Sequence, residues 1–356
     1  MTSYITSGGL LLSVAMAVGI ALRFYRLDLV SMSIDEGFTW AAASQPVSRL
    51  LQLQPMLDTG KLAFYDLLLH YWMCVFGDSL RSMRGFSATI STISIPLIFA
   101  VVQELYETLA EDASAAGELA GGFAALLFAT NVAIVGSART ARMYPLMMAA
   151  ELAEIFFFLR AQRCGRVSDY MLTALFLALA IAANFTAAFI LVGETFWLAF
   201  LLAKRVKGLA RADLHLAGPA LSLLAGLALL LPWRRAAKCL LQEGVRHRDF
   251  GWISYQPPIH WSYEVLRASA GTGWLFDLLL ALTTFAIWRC RRRAPLAATF
   301  MATAAAGPFA AVSVASLLGV PMMVDRYVLI AIVAILVLAA IGAASFESRL
   351  GQTIIF

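Results

Sequence analysis

Charge is scarce in this 356-residue chain. Asp, Glu, Lys and Arg together make up 14% of it, beside four histidines and four cysteines. So little charge, with a mean hydropathy of +0.79, excludes an ordinary soluble domain. The net charge of +5 comes from clusters between apolar segments, which excludes a continuous basic face for nucleic acid. Cys74, Cys164, Cys239 and Cys290 stand far apart without metal-type spacing, so neither a metal site nor a disulfide framework is read. The first apolar run has no basic segment before it and no small-residue cleavage site after it. Residues 8–26 therefore read as a retained span, not a removed signal peptide. Low-complexity tracts and internal repeats are also missing.

What the chain does have is long apolar runs from end to end, with 61% hydrophobic residues. Only helices and closed barrels satisfy their backbone in lipid, and these runs are too long and uniform for barrel strands. Spans are expected near 8–26, 86–106, 118–136, 143–160, 170–184, 187–203, 214–232, 273–290, 295–318 and 328–346. The fold class is thus an all-α polytopic membrane protein, a bundle of about ten transmembrane helices in a single integral-membrane domain. External loops are expected at 27–85 and 233–272, with no soluble C-terminal domain.

The stretch 62–77, "LAFYDLLLHYWMCVFG", is apolar but carries Asp66 and His70. It falls short of the ~20 residues a crossing needs, so it reads as an interfacial helix. On that reading the N-terminus is cytoplasmic, and Asp35, Lys61, Arg142 and Arg326 share the external side. A crossing helix would put Asp35 and Arg142 on opposite faces. Basic loops at 160–169 (Arg160, Arg163, Arg166), 204–213 (Lys204, Arg205, Lys207, Arg211) and 289–293 are cytoplasmic either way. Two features run against the rule. Arg23 and Arg26 close the first span on the external side, as if to serve an anionic ligand, and the acidic loop 107–117 lies on the cytoplasmic side.

Four groups then converge on one external surface. "SMSIDEGFTW" brings Asp35 and Glu36; "DTGKLAFYDLLLHYW" brings Asp58, Lys61 and His70. "SARTARMYPLMM" brings Arg139, Arg142 and Tyr144; "PMMVDRYVLI" brings Asp325, Arg326 and Tyr327. Arg84 follows the interfacial stretch. Ionisable groups at membrane edges are costly and mark functional sites by default. Arg and Lys hold phosphate by charge-assisted hydrogen bonds. A carboxylate can take a proton from a hydroxyl or hold a divalent cation. The set suits group transfer from a lipid-linked phosphate. The bland readings stand beside it: a helix-capping acid at Asp35, a snorkelling lysine at Lys61, interfacial anchors at Tyr144 and Arg326, and a buried hydrogen-bonded His70. "NFT" at 184–186 reads as a polar helix break, and "FGWISYQPPIHWSY" as a sugar-stacking platform or an aromatic belt.

These residues resemble a family. "LRFYRLDLVSMSIDEGFTWAAA", "GKLAFYDLLLHYWMCVFGDSLRSMRGFSA", "SARTARMYPLMM" and "DRYVLIAIVAIL" are similar to motifs of bacterial GT-C glycosyltransferases of the protein-mannosyltransferase-like group. That group includes the lipid A aminoarabinose transferase and the galacturonosyltransferases of lipopolysaccharide core. The resemblance implies a multi-span enzyme in the cell envelope with an extracytoplasmic site. It also implies inverting transfer from a polyprenyl-phosphate sugar donor to a glycan, lipid or protein acceptor. It makes Asp35 the key carboxylate with Glu36 beside it, and Lys61, Arg142 and Tyr144 phosphate contacts. Arg326, Arg139 and Arg84 are further candidates for the phosphate, with His70 and Tyr327 near the site. No cofactor is required on this reading, although Mg or Mn bridging Asp35 to the phosphate is compatible with it. Three departures are visible. Leu62-Ala63 replaces the family's Pro-Pro, Thr140 replaces a Glu so that Arg139 is an added cation, and the chain is shorter than most relatives. The competing reading is a transporter or flippase of lipid-linked or anionic solutes.

Overall fold

The computed structural model describes residues 7–354 other than 59, 111–113, 208–213, 236–237, 239–252, 254, 272, 294 and 321. Every regular element among the described residues is helical. Helix α1 (Ser7–Phe24) leads to three short helices, α2 (Ile34–Ala43), α3 (Val47–Leu57) and α4 (Phe64–Phe76). Next come α5 (Leu80–Leu109), α6 (Ser114–Thr130), α7 (Val132–Ala138), α8 (Tyr144–Cys164) and α9 (Val167–Ala183). A 3-10 turn (Phe185–Phe189) enters α10 (Ile190–Val206), followed by α11 (Ala217–Leu229). The last four are α12 (Pro258–Ala270), α13 (Gly273–Arg293), α14 (Pro295–Leu317) and α15 (Leu329–Ile354).

A helix stands at each of the ten places where a span was expected. Among the described residues five stretches are long and apolar enough to cross a bilayer: α1, α5, α10 with its 3-10 turn, α14, and Asp325–Ser345. The bent pairs α6–α7 (60°) and α12–α13 (109°) raise the number to as many as seven. Helices α9 and α11 are apolar but shorter, and α8 carries Glu151, Glu154, Arg160 and Arg163 within its length. The protein is an integral-membrane helical bundle. α4 has 13 residues, too few to cross, as the length of its apolar stretch implied. α5 begins at Leu80, six positions before the expected span at 86, because Ser79 caps it by accepting from the Ser82 N–H at 3.2 Å. That extension puts Arg84 on a helix and not in a loop.

Within the bundle α1 packs on α6, α5 on α6 and α8, α8 on α9, and α9 on α11. α10 packs on α14, and α15 on α6, α13 and α14. Small residues let backbones approach in lipid, where no hydrophobic force drives helices together. The α10–α14 crossing shows this. A Cβ on Gly193 would lie 2.6 Å from the Thr303 carbonyl oxygen, and one on Gly307 would collide with the Gly193 backbone.

Two arginines expected to serve a ligand serve helix ends instead. Arg23 is wholly buried: its Nε donates to Ser91 Oγ (2.9 Å) and its Nη1 to the Ala129 carbonyl (2.9 Å), near the end of α6. Arg139 donates to the carbonyls of Leu22 (2.8 Å) and Tyr25 (2.7 Å) at the end of α1. The last carbonyls of a helix have no partner within it, and both side chains supply one. Arg139 therefore faces away from a phosphate role. On the opposite side of the bundle, Arg163 bonds Glu104 through Nε and Nη2 (both 2.8 Å) and meets Glu107 at 2.9 Å. That pairing accounts for two acids beside the loop at 107–117.

Residues 236–237, 239–252, 254 and 272 of the second external loop, among them Phe250, Gly251, Trp252 and Ser254 of the aromatic stretch, lie outside the described residues. Its Trp261 is buried edge-on against Phe309 of α14, with ring centroids 5.7 Å apart, so it is core and not a sugar platform. Replacing Gly307 with Leu is expected to destabilise the bundle by about 1–3 kcal/mol through overpacking at the α10–α14 crossing. A lower melting temperature in detergent reads this out; an unchanged one refutes the close packing.

Candidate active site

One carboxylate organises the end of the bundle where the short helices gather. Ser33 and Glu36 form a capping box at the start of α2. The Glu36 carboxylate is fully buried and accepts five hydrogen bonds. Oε1 takes Arg84 Nε (2.7 Å) and the Ala141 N–H (2.9 Å). Oε2 takes Arg84 Nη2 (2.8 Å) and the N–H and Oγ of Ser33 (3.0 and 3.1 Å). Arg84 spends its remaining donors on the carbonyls of Leu27 (2.7 Å), Val30 (2.8 Å) and Ser31 (3.1 Å). Burial alone would raise the Glu36 carboxyl; the bonds from Arg84, Ser33 and Ala141, with the Arg84 charge, bring it down to about 2. With every oxygen engaged, Glu36 is a strut between α2, α5 and the turn before α8. Arg84 is likewise consumed and has no donor left for a phosphate.

The second layer centres on Arg142, which is 8% exposed. Its Nη1 donates to the Asp35 carbonyl (2.9 Å) and Thr39 Oγ1 (3.0 Å), and its Nη2 to Asp58 Oδ2 (2.8 Å). The Arg142 carbonyl accepts from Ser87 Oγ (3.2 Å), which in turn accepts from the Tyr65 hydroxyl (2.8 Å). Lys61 is buried. Its Nζ sits 2.8 Å from Asp66 Oδ2 and 3.8 Å from Asp58 Oδ2, over the Tyr65 ring. The Asp58–Lys61 turn is docked by backbone bonds onto the break after α9: the Leu62 N–H donates to the Ala182 carbonyl and the Phe185 N–H to the Gly60 carbonyl. Asn184 makes that break, accepting from the N–H and hydroxyl of Thr186, as the polar "NFT" implied.

Asp35 is the accessible acid, with its side chain 43% exposed. Its Oδ2 lies 3.3 Å from Nη1 of Arg326, which stacks over the Tyr144 ring at 5.7 Å. Arg326 and Tyr327 sit on the 3-10 turn (Asp325–Val328) that opens α15. Asp35, Asp58, Arg142, Tyr144 and Arg326 thus meet at one end of the bundle, as a non-crossing α4 requires. His70 lies apart. Its Nδ1 bonds the Ala43 carbonyl at 2.8 Å, so that nitrogen carries the proton and ties α4 to α2. The sequence reading passed over Thr39 and gave Asp58 no role of its own; nothing local in the sequence pairs Asp58 with a residue 84 positions away.

The carboxylates of Asp35, Asp58 and Asp66 each face an arginine or lysine, and among the described residues no group of three or more His, Cys, Asp or Glu is arranged for metal. A lined apolar cavity of about 390 Å³ does open beside the Asp58–Lys61 turn, walled by Leu51, Gln54, Leu62, Phe64, Leu179 and Trp233 among others.

This arrangement of helices is the GT-C fold. The apo crystal structure of ArnT from Cupriavidus metallidurans superposes with a TM-score of 0.65 at 14% identity, over 97% of this chain and 62% of ArnT. ArnT from the same organism bound to undecaprenyl phosphate gives 0.62. The oligosaccharyltransferase AglB from Archaeoglobus fulgidus, in complex with an inhibitory peptide and a dolichol-phosphate, gives 0.55 at 11% identity, over 98% of this chain and 51% of AglB. The chain therefore spans about 62% of ArnT and about half of AglB. No protein-family model and no curated protein sequence matches it.

Glu36→Gln and Arg84→Met are each expected to destabilise the protein by about 3–5 kcal/mol, because each leaves a buried partner uncompensated. The double variant should lose less than the sum. The folded carboxyl is lowered, so its contribution is complete above about pH 4.5 and lost as pH falls toward about 2. Additive losses, or stability flat through that window in the wild type, would refute the pairing.

Proposed function

We propose that the protein is an inverting glycosyltransferase that moves a sugar from a polyprenyl-phosphate donor to a glycan, lipid or protein acceptor at the extracytoplasmic face of a bacterial inner membrane. The observation that carries this reading is the Asp35–Arg326 contact, 3.3 Å across 291 residues of chain. It sets one accessible acid against a cluster of cations drawn from three separate segments.

Arg326 stands at the opening, with Arg142 behind it and Lys61 deeper in. Together they stabilise the charge that grows on the leaving phosphate as the glycosidic bond breaks. Tyr144 and Tyr327 flank Arg326 and fix its direction. Asp35 takes the proton from the acceptor hydroxyl as that oxygen attacks the anomeric carbon from the face opposite the phosphate. A carboxylate suffices, because the proton is released only as the new bond forms. The isoprenoid tail runs into the cavity beside the Asp58–Lys61 turn, whose apolar walls match a chain of methyl-branched units. Glu36 and Arg84 act from behind, holding Asp35 and Arg142 in register. The external loops and the single membrane domain follow from the same topology.

A second reading, a transporter or flippase, draws on a different observation. Glu151 and Glu154 of α8 and Glu194 of α10 are buried within the bundle, and the carboxyl oxygens of Glu154 and Glu194 have no hydrogen-bond partner among the described residues. Intramembrane carboxylates also mark ion and proton paths.

Asp35→Asn is expected to abolish transfer of labelled sugar from a polyprenyl-phosphate donor to a membrane lipid extract, by ~10²-fold or more for loss of the base, while the variant elutes and melts like the wild type. Full activity removes Asp35 from the reaction. Wild type that flips lipid in liposomes and transfers no sugar favours the transporter. With the native cysteines replaced, a cysteine at Ile34 should react with an impermeant thiol reagent from outside the cell membrane only.

A further inference from the structure

Helices α10 and α11 follow one another in the chain, yet α10 packs on α14 and α11 on α9. A groove of about 690 Å³ is left between them, walled by Leu191, Leu198, Leu202, Leu223, Leu224 and Leu227. Leu202 and Leu224 are more than half exposed, so the groove opens toward the surrounding lipid. A gap of this kind is filled by protein or by lipid chains, because an empty one forfeits the dispersion contacts of both walls. From Leu191 to Arg205 the helix rises about 21 Å, more than the roughly 15 Å of hydrocarbon in one leaflet. The groove is therefore long enough for an extended acyl chain.

Its two ends differ in charge. One end lies toward the break after α9, where the Asp58–Lys61 turn is anchored. At the other end, away from the candidate site, Arg205 lines the groove, and among the described residues no acid does. Lys204 and Lys207 stand within one turn of Arg205. The segment 204–213 carries Lys204, Arg205, Lys207 and Arg211 against Asp213 alone. Apolar walls that end at cations match a molecule with a long hydrocarbon tail and an anionic head. Basic pockets between spans hold acidic lipid headgroups on this principle, and guanidinium meets a phosphodiester through paired N–H donors.

We propose that the α10–α11 groove is a binding site for an anionic phospholipid of the leaflet opposite the candidate site, with an acyl chain between the two helices and the phosphate at Arg205 and Lys204. A zwitterionic lipid also brings a phosphate, but its own ammonium would stand among the same cations and be repelled. The bound chain braces α10 against α11, which the protein alone leaves apart. This site is separate from the sugar-transfer reading, and neither depends on the other.

The test uses the full-length protein in detergent, with phosphatidylglycerol and phosphatidylcholine of identical acyl chains as probes. Binding is read by native mass spectrometry and by the shift in melting temperature. Wild type is expected to bind phosphatidylglycerol at least ~10-fold more tightly and to melt higher with it. Lys204→Gln with Arg205→Gln should bring the two lipids within ~3-fold of each other. Arg166→Gln removes a cation outside the groove lining and should keep the wild-type preference. Ala220→Trp, or Ala199→Trp from the facing wall, fills the groove and should weaken both lipids; melting curves without lipid establish that the variants are folded. Equal binding of the two lipids by wild type, or the same loss in Arg166→Gln, overturns the proposal. Displacement of the lipid by glycerol phosphate as effectively as by phosphatidylglycerol overturns it in favour of a headgroup site without a chain. A dimer in lipid-free detergent that Ala220→Trp dissociates overturns it in favour of a second copy in the groove.

Discussion

The buried pair of Glu36 and Arg84 is the constraint on which the rest of this site depends. It is a carboxylate accepting five hydrogen bonds and a guanidinium donating to three carbonyls besides. The pair clamps the first short helix to α5 and to the turn ahead of α8. Asp35 is the residue next to Glu36, and Arg142 the residue next to Ala141. Fixing Glu36 against the Ala141 N–H therefore sets the distance between the exposed acid and the buried arginine, and the Arg142 bond to the Asp35 carbonyl follows from it. A charge pair out of water is expensive unless every lone pair and proton is used, and here they are. Glu36 and Arg84, which the sequence offers beside Asp35 and Lys61 as candidates for the site, have their chemistry fully spent on holding others.

The polar groups concentrate where helices end, and for a shared physical reason. In lipid a backbone carbonyl or amide cannot be left to water, so each helix end must find a side chain. Arg23 serves α6, Arg139 serves α1, Asn184 caps the 3-10 turn before α10, and Asn131 caps α7. Once charged and amide side chains have been drawn to that layer, the remaining acids and bases pair there as well. The same break after α9 that Asn184 caps gives the Asp58–Lys61 turn its backbone anchors. A polar layer of this type is built from the requirement that terminates the spans.

Likeness to ArnT and AglB at 14% and 11% identity speaks to the helical frame. Over that frame this chain has its own charge pattern. Thr140 stands where the resembled motif has an acid, and its Oγ1 donates to the Ser137 carbonyl at 2.9 Å. Asp58 contributes a carboxylate to the same layer from a different segment. Among the described residues Lys61, Arg142 and Arg326 each face a carboxylate of that layer.

The amino-acid sequence by itself determined the class of the molecule. Apolar runs of span length fold as helices in lipid, and the shortness of 62–77 favours an interfacial helix over a crossing. It also set the list from which the site is drawn, since ionisable residues are few. What only the tertiary structure decided is which of them meet and which are consumed. Arg139, Arg84, Arg23 and Glu36 read as ligand-facing in one dimension, because a charge at a span end looks the same whether it points at a phosphate or at a neighbouring helix's last carbonyl. Asp58 had no assigned role for the converse reason. Lys61 stands only three positions on, but Arg142 is brought to it by the packing of the turn before α8, and a contact across 84 residues has no periodicity or spacing to reveal it.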